Sequence, residues 1–132
     1  VAYCTLINVV DYDDKLREQY GLEWVSLKDL PQLYSDHNLM IQDAISQIRR
    51  RINTEPLSFK LLPNLFTLTQ LQHVFEAVMD EEIDKRNFRK RIKDIDFIEK
   101  TELIDKAGSR RGAALYRFNK KAYAQDPSFK LK

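Results

Sequence analysis

Residues 84–95 constrain the fold of this chain more than any other stretch. With Phe88 at zero on a helical wheel, Ile92 lies at about 40° and Ile95 at about −20°, so these three share one side. Lysine and arginine side chains occupy the opposite side and its flank, and Asp84 in front of them is a preferred helix-capping residue. The pattern predicts a short helix, ending near residue 94, that buries a narrow apolar seam and exposes a basic face.

A second amphipathic helix is predicted directly before this one. Thr67 and Gln70 have the spacing of a capping box, in which each side chain satisfies the backbone amide of the other residue. One apolar stripe follows at helical spacing: Leu68, Leu71, Phe75, Val78 and Met79. Since the acidic residues 80–82 leave room only for a brief connection, the two helices are predicted to form a helix-turn-helix unit.

Two segments rich in β-branched, aromatic and other apolar residues follow the helices. They are Phe97–Asp105 and Ala113–Phe118, and the turn between them contains Gly108 and Gly112. This arrangement predicts a β-hairpin whose tip, at residues 109–111, is basic. The C-terminal part of the chain is therefore predicted to be a winged helix-turn-helix domain.

The N-terminal part of the chain is predicted to mix strands with one helix. The apolar run Val1–Val10 has the composition of a buried strand, with Cys4 as a small buried residue within it. Leu22–Leu27 alternates loosely and is a second candidate strand. Apolar residues at helical spacing then predict a helix over residues 38–52.

The connection between the two parts lies at residues 53–63. Two prolines and the lack of a helical period predict a connector there, with a short strand at residues 57–59. We place a domain boundary in this connector, so that residues 1–55 form one part and residues 56–132 the other. The predicted fold class is α+β, with a partial α/β segment in front of the winged helix-turn-helix domain.

Charge is divided unevenly between the two parts. Residues 1–82 hold 7 Lys and Arg against 13 Asp and Glu, a net charge of −6, whereas residues 83–132 hold 15 against 7, a net charge of +8. This asymmetry indicates nucleic acid or another anionic surface as the partner of the second part. No apolar run approaches the about 20 residues that a membrane-spanning helix requires, so no membrane partner is expected. The lone cysteine fits a reducing cytoplasm.

Duplex DNA is the anionic partner that best fits an exposed basic helix followed by a basic hairpin. A helix fits the major groove, where arginine can donate two hydrogen bonds to guanine and asparagine can pair with adenine. Lysine is better suited to phosphate, which adds affinity without sequence information. The predicted base contacts are Arg86, Asn87 and Arg89, and the predicted phosphate contacts are Lys85, Lys90, Lys93, Arg110 and Arg111.

Other interpretations of the basic face are weaker. A basic helical face is often only solvated, but here the cations share one side and a basic hairpin follows. RNA-binding sheets usually present exposed aromatic pairs, and a helix that lies on a membrane needs a wider apolar face. His37 and His73 are far apart and have no partner at metal-ligand spacing, so no catalytic residue, metal or cofactor is predicted.

Three separated motifs agree in order and spacing with a known family. They are FTLTQLQ at residues 66–72, DKRNFRKRI at residues 84–92 and GSRRGAALYRF at residues 108–118. Over residues 57–126 the chain resembles the C-terminal DNA-binding domain of the Nudix-related transcriptional regulators. Residues 23–31, followed by Asp36 and His37, are similar to the last third of a Nudix domain.

This resemblance implies a function for the full-length protein. It implies a cytoplasmic transcriptional regulator that works as a homodimer on a palindromic, double-stranded operator. It also implies a small-molecule effector, either an ADP-ribose-type nucleotide or a sugar, bound by a Nudix-like sensor domain in front of the winged helix. The genes controlled would belong to NAD metabolism or to sugar utilisation.

The chain departs from the family pattern in one respect. The Nudix box, whose glutamates hold divalent metals, is absent, and its segment would precede Val1. We therefore expect a C-terminal fragment, to which neither hydrolysis nor effector binding can be assigned. Two alternatives stay open: a Nudix hydrolase of a nucleoside diphosphate derivative with an accessory winged helix domain, and a winged helix that binds protein instead of DNA. An intact upstream Nudix box would favour the hydrolase.

Overall fold

The computed structural model describes residues 2–7, 13–108 and 110–127. The chain divides into two compact units, Val1–Ser46 and Gln47–Lys132. The predicted domain boundary after residue 55 stays a prediction. In chain order the helices and strands are α1 Asp13–Tyr20, α2 His37–Ile52, β1 Phe66–Thr67, α3 Leu68–Met79, α4 Lys85–Lys93, β2 Ile98–Asp105, β3 Ala113–Phe118 and α5 Lys120–Gln125.

The described residues of the first unit are helical or irregular. Residues 2–7 and 22–26 form no strand, so the strands predicted at Val1–Val10 and Leu22–Leu27 are wrong there; Val1 and residues 8–10 lie outside the described residues. A strand must pair its backbone with a neighbour, and residues 2–7 and 13–46 contain no other strand. Cys4 is exposed, not buried as predicted.

Helix α2 begins at His37, one residue before the predicted start. The loop in front of it is held by Asn38, whose Oδ1 accepts a hydrogen bond from the Leu33 amide at 2.7 Å and whose Nδ2 donates to the Pro31 carbonyl at 3.0 Å. Asparagine is suited to this role because it offers a donor and an acceptor on one short side chain.

The C-terminal end of α2 belongs to the second unit and enters its core. Ile52 is fully buried, and Arg49 donates from Nε to the Val78 carbonyl at the end of α3 at 3.0 Å. Residues 57–59 then lie in a 3-10 helix, Pro56–Lys60, and not in the predicted strand. Pro56 stands at the first position of that helix, where its fixed φ and missing N–H fit the helical start.

The second unit is an α+β domain with one small antiparallel sheet. The strand order is β1-β3-β2, with Phe66 opposite Tyr116 and Ile98 opposite Phe118. Among the described residues, nine buried apolar side chains from the helices, the strands and the turn before β2 form the core: Ile52, Phe66, Leu68, Leu71, Phe75, Phe88, Ile92, Phe97 and Ile98. The predicted helix-turn-helix followed by a hairpin is confirmed.

Aromatic side chains join the outer elements to this core. Phe59 of the 3-10 helix stacks on Phe118 with ring centroids 4.5 Å apart and planes 9° apart. Tyr123 of α5 packs edge to face on Phe97 at 5.2 Å and also lies against Phe118 at 5.8 Å. Such pairs contribute about 0.5–1.5 kcal/mol each beyond the area they bury, so they fasten α5 to the sheet.

The hairpin is irregular in its middle. Its register shifts between Lys100 and Ile104, and the Thr101 hydroxyl partly replaces the backbone ladder there. The hydroxyl donates to the Leu115 carbonyl at 2.8 Å and accepts from the Leu103 amide at 3.2 Å. Regular pairing resumes at Ile104 opposite Ala114.

Candidate nucleic-acid interface

Capping residues fix the two helices of the helix-turn-helix. The Thr67 hydroxyl accepts from the Gln70 amide at 3.1 Å, and the Gln70 side chain accepts from the Thr67 amide at 2.9 Å, which confirms the predicted capping box. Asp84 caps α4 by accepting the Asn87 amide at 2.8 Å. Both caps satisfy amides that the first turn of a helix leaves without a partner.

The apolar seam of α4 faces the core as predicted. Phe88 and Ile92 are each only 2% exposed, and Ile95 packs against the same core. The rings of Phe88 and Phe75 lie 5.9 Å apart, which joins α4 to α3. Burial of one such side chain stabilises the fold by about 1.5–3 kcal/mol. The opposite face of α4 is therefore directed away from the domain.

The exposed side of α4 brings six of the eight predicted site residues together. All six are exposed, and with Asp84 they line one open depression of about 790 Å³. We call them the basic surface: Lys85, Arg86, Asn87, Arg89, Lys90 and Lys93. The remaining cation of α4, Arg91, borders a separate depression of about 310 Å³ that is also lined by Glu81 and Glu82.

The other two predicted residues, Arg110 and Arg111, lie at the tip of the hairpin. Both are exposed, and neither lines the depression of the basic surface. Ser109, which the sequence also places at this tip, lies outside the described residues. The strand Ile98–Asp105 spans eight residues, so β2 is about 23 Å long at about 3.3 Å per residue step, and the tip lies beyond its end.

The charge arrangement on α4 opposes the stability of the free helix. Lys85 and Arg86 lie in its first turn, where the helix dipole is positive and disfavours cations. Like-charged side chains also face each other three or four residues apart, for example Arg86 with Lys90, and such pairs are destabilising. An anionic partner would relieve both effects.

A glutamate–glutamine pair that the sequence did not predict holds the turn before α4. The Gln72 side-chain amide and then the Ile83 backbone amide donate to the Glu76 carboxylate, and these hydrogen bonds lower its pKa. The i, i+4 spacing of Gln72 and Glu76 is visible in the sequence. Their common partner, Ile83 at the end of the turn, cannot be recognised from the sequence.

A second hydrogen-bond network pairs Arg117, a cation of the hairpin, with the carboxylate of Glu99. Glu99 accepts hydrogen bonds from the side chains of Asn119 and Arg117, the latter at 2.7 Å, and these two donors lower its pKa. Asn119 also caps α5 through its Oδ1, which accepts from the amides of Lys121 and Ala122. Arg117 is thus paired within the sheet, whereas Arg110 and Arg111 lie on the connection beyond it.

The described residues contain neither a metal-binding cluster nor a membrane-spanning helix. Within residues 2–7, 13–108 and 110–127, no group of three or more His, Cys, Asp or Glu side chains is placed to hold a metal ion. No helix in these ranges has both the length and the apolar character to span a membrane. His73, on α3, is exposed.

Helix-turn-helix, hairpin and exposed basic helix together define a winged helix domain of the DNA-binding class. Residues 58–118 match the family model of the NrtR DNA-binding winged helix domain. This match over residues 58–118 agrees with the family that the sequence motifs predicted.

Relatives of known structure or function agree with this assignment. The chain is 33% identical over 120 residues to the ADPR responsive transcriptional repressor NtrR of Acinetobacter baylyi, which covers 89% of the chain and 48% of the relative. The fold matches Shewanella oneidensis NrtR complexed with a 27mer DNA at a TM-score of 0.67 and 24% identity, over 88% of this chain and 53% of that one. Another crystal structure of Shewanella oneidensis NrtR matches at a TM-score of 0.59 and 28% identity, over 81% and 48%. The chain thus spans about half the length of these relatives.

Proposed function

We propose that this chain is the DNA-binding part of a transcriptional repressor. The single observation that carries the proposal is the basic surface, because six exposed side chains of α4 line one open depression. The Acinetobacter relative is a repressor, and one Shewanella relative was crystallised with DNA. We assign Arg86, Asn87 and Arg89 to base edges in the major groove.

The remaining predicted residues are proposed to bind phosphate. Lys85, Lys90 and Lys93 flank the base-reading side chains on α4. Arg110 and Arg111 lie on the connection beyond β2, a strand about 23 Å long. That length exceeds the summed widths of the major and minor grooves, about 12 Å and 6 Å. The hairpin would therefore contact the backbone or the minor groove next to α4.

A salt titration of duplex binding tests this proposal. Five phosphate contacts by one copy of the chain predict a slope of about −4.5 for log affinity against log salt, which is roughly a 500-fold loss between 50 and 200 mM. Arg86→Ala and Arg89→Ala are expected to weaken binding by about tenfold or more each. Arg50→Ala, an exposed arginine of α2, is the matched control and should leave affinity unchanged. Failure to bind any duplex at low salt would refute the proposal.

The effector and the assembly of the full-length protein are further proposals. The Acinetobacter relative is named as responsive to ADPR, which supports an ADP-ribose-type nucleotide over the sugar alternative. We also propose a homodimer on a palindromic operator, located in the cytoplasm with the DNA. DNA affinity of the full-length protein, measured with ADP-ribose and separately with sugars, distinguishes the effectors, and light scattering gives the oligomeric state.

The non-enzymatic assignment of this chain is likewise a proposal. It rests on the repressor function of the Acinetobacter relative and on the basic, non-catalytic character of the surface on α4. The hydrolase alternative would be favoured if the full-length protein released a nucleoside monophosphate from a nucleoside diphosphate derivative in the presence of magnesium.

A further inference from the structure

The turn between α3 and α4 is held by side chains that make none of the proposed DNA contacts. We propose that Gln72 and Glu76 are positioning residues for sequence recognition, because by fixing Ile83 they set the direction in which α4 leaves the turn. We call these three residues the turn clamp. The inference rests on the proposed function, since it concerns how the basic surface is presented to DNA.

The turn clamp binds both backbone polar groups of Ile83. The Glu76 carboxylate accepts from the Ile83 amide at 3.0 Å, and Gln72 Nε2 donates to the Ile83 carbonyl at 2.9 Å. Gln72 Nε2 also donates to Glu76 at 2.9 Å, which closes a ring of three hydrogen bonds. Gln72 is only 9% exposed, whereas Glu76 and Ile83 are partly buried, so the ring lies at the edge of the domain.

Ile83 directly precedes Asp84, the residue that caps α4. Asp80 ends α3 in the left-handed region, at φ 53° and ψ 41°, and Asp84 caps α4. Only residues 81–83 therefore connect the two caps, and the turn clamp fixes the last of them. The orientation of the first turn of α4, which carries Arg86 and Asn87, depends on that residue.

A small error in this orientation is enough to impair base recognition. At 1.5 Å per residue, Arg89 stands about 9 Å beyond Ile83, so a tilt of about 10° displaces it by about 1.5 Å. Hydrogen bonds to base edges tolerate only a few tenths of an ångström in distance. Phosphate contacts by long lysine side chains depend on charge and tolerate such a shift. Loss of the turn clamp should therefore lower specificity more than overall affinity.

The experiment compares specific with non-specific binding. A preferred duplex is first selected by the unaltered chain from a randomised pool, and a shuffled duplex of the same composition serves as the reference. For Glu76→Ala and Gln72→Ala we expect the ratio of the two affinities to fall at least tenfold. Affinity for the shuffled duplex and the salt slope should stay within about twofold of the unaltered chain.

Two further variants separate positioning from folding and from charge. Glu76→Gln keeps the shape and one acceptor oxygen, so it should retain more specificity than Glu76→Ala. Glu82→Ala removes an exposed carboxylate from the same turn and should change both affinities alike. If the ratio of the two affinities is unchanged in Glu76→Ala and Gln72→Ala, whether or not both affinities fall, the inference is overturned and the proposed function stays intact. If the unaltered chain selects no sequence, the proposed function and the inference both fail.

Discussion

Arg86 and Lys93 allow the electrostatic strain in α4 to be measured. Arg86 lies in the first turn of the helix and Lys93 in the last, and both have Arg89 and Lys90 three or four residues away. The two cations therefore share their like-charged neighbours and differ in the end of the helix dipole that they face. We predict that Arg86→Ala stabilises the domain and that Lys93→Ala leaves its stability nearly unchanged.

The magnitudes follow from this placement. Removing Arg86 relieves an unfavourable dipole interaction of about 0.3–1 kcal/mol and two like-charge pairs of about 0.2–0.5 kcal/mol each. The nearby cap Asp84 attracts Arg86 and offsets part of this gain, so the net gain is about 0.5–1.5 kcal/mol, or roughly 2–8 °C in Tm. Removing Lys93 relieves the same two pairs but loses a favourable dipole interaction, and the two effects nearly cancel.

Thermal unfolding followed by circular dichroism at about 10 mM and at 1 M salt checks this prediction. The Debye length falls from about 30 Å to about 3 Å, so the gain in Arg86→Ala should nearly vanish at high salt. Duplex binding by the same variant should fall about tenfold, although the domain is more stable. The reasoning is refuted if Arg86→Ala is less stable than the unaltered chain at low salt, or if Lys93→Ala gains as much.

Three further changes test the capping box, the hairpin and the acid stability of the domain. Thr67→Ala removes a cap and should cost about 1 kcal/mol in urea denaturation, whereas Thr69→Ala on the same helix should cost distinctly less. Gly112→Ala should cost about 1–3 kcal/mol by the same measurement, because φ is +74° and the added methyl would overlap the Cγ2 of Ile104. The hydrogen bonds to Glu99 lower its pKa in the folded state, so its contribution to stability is present above the ordinary carboxyl pKa and lost as pH falls through the lowered value. The free energy of unfolding, measured at decreasing pH, should therefore decline less steeply in Glu99→Gln than in the unaltered chain. An equally steep decline in both would show that Glu99 does not contribute to the acid dependence.

Much of the structure of the C-terminal domain was predictable from residues that are close together in the sequence. The capping box of Thr67 and Gln70 and the period that buries Phe88 and Ile92 depend only on residues within a few positions of one another. The exposed face of α4 follows from the same wheel, so the composition of the basic surface was predictable without the fold.

Non-local pairing accounts for the errors and omissions. The apolar run at the N-terminus has the composition of a strand, but residues 2–7 form none, because composition cannot supply a pairing partner. The ion pair between Arg117 and Glu99 depends on hairpin register, which shifts at an irregularity that the sequence does not mark. The turn clamp depends on the left-handed conformation of Asp80, which returns Ile83 to α3.

Thr67 belongs to two elements at once. Its backbone pairs with Leu115 in the sheet, and its hydroxyl caps α3 in the next step of the chain. No flexible residue separates β1 from α3, so neither can detach while the other stays formed. We expect amide protons of β3 and of the first turns of α3 to exchange with solvent through one shared opening event, and the sheet and the helix to unfold as a single cooperative unit.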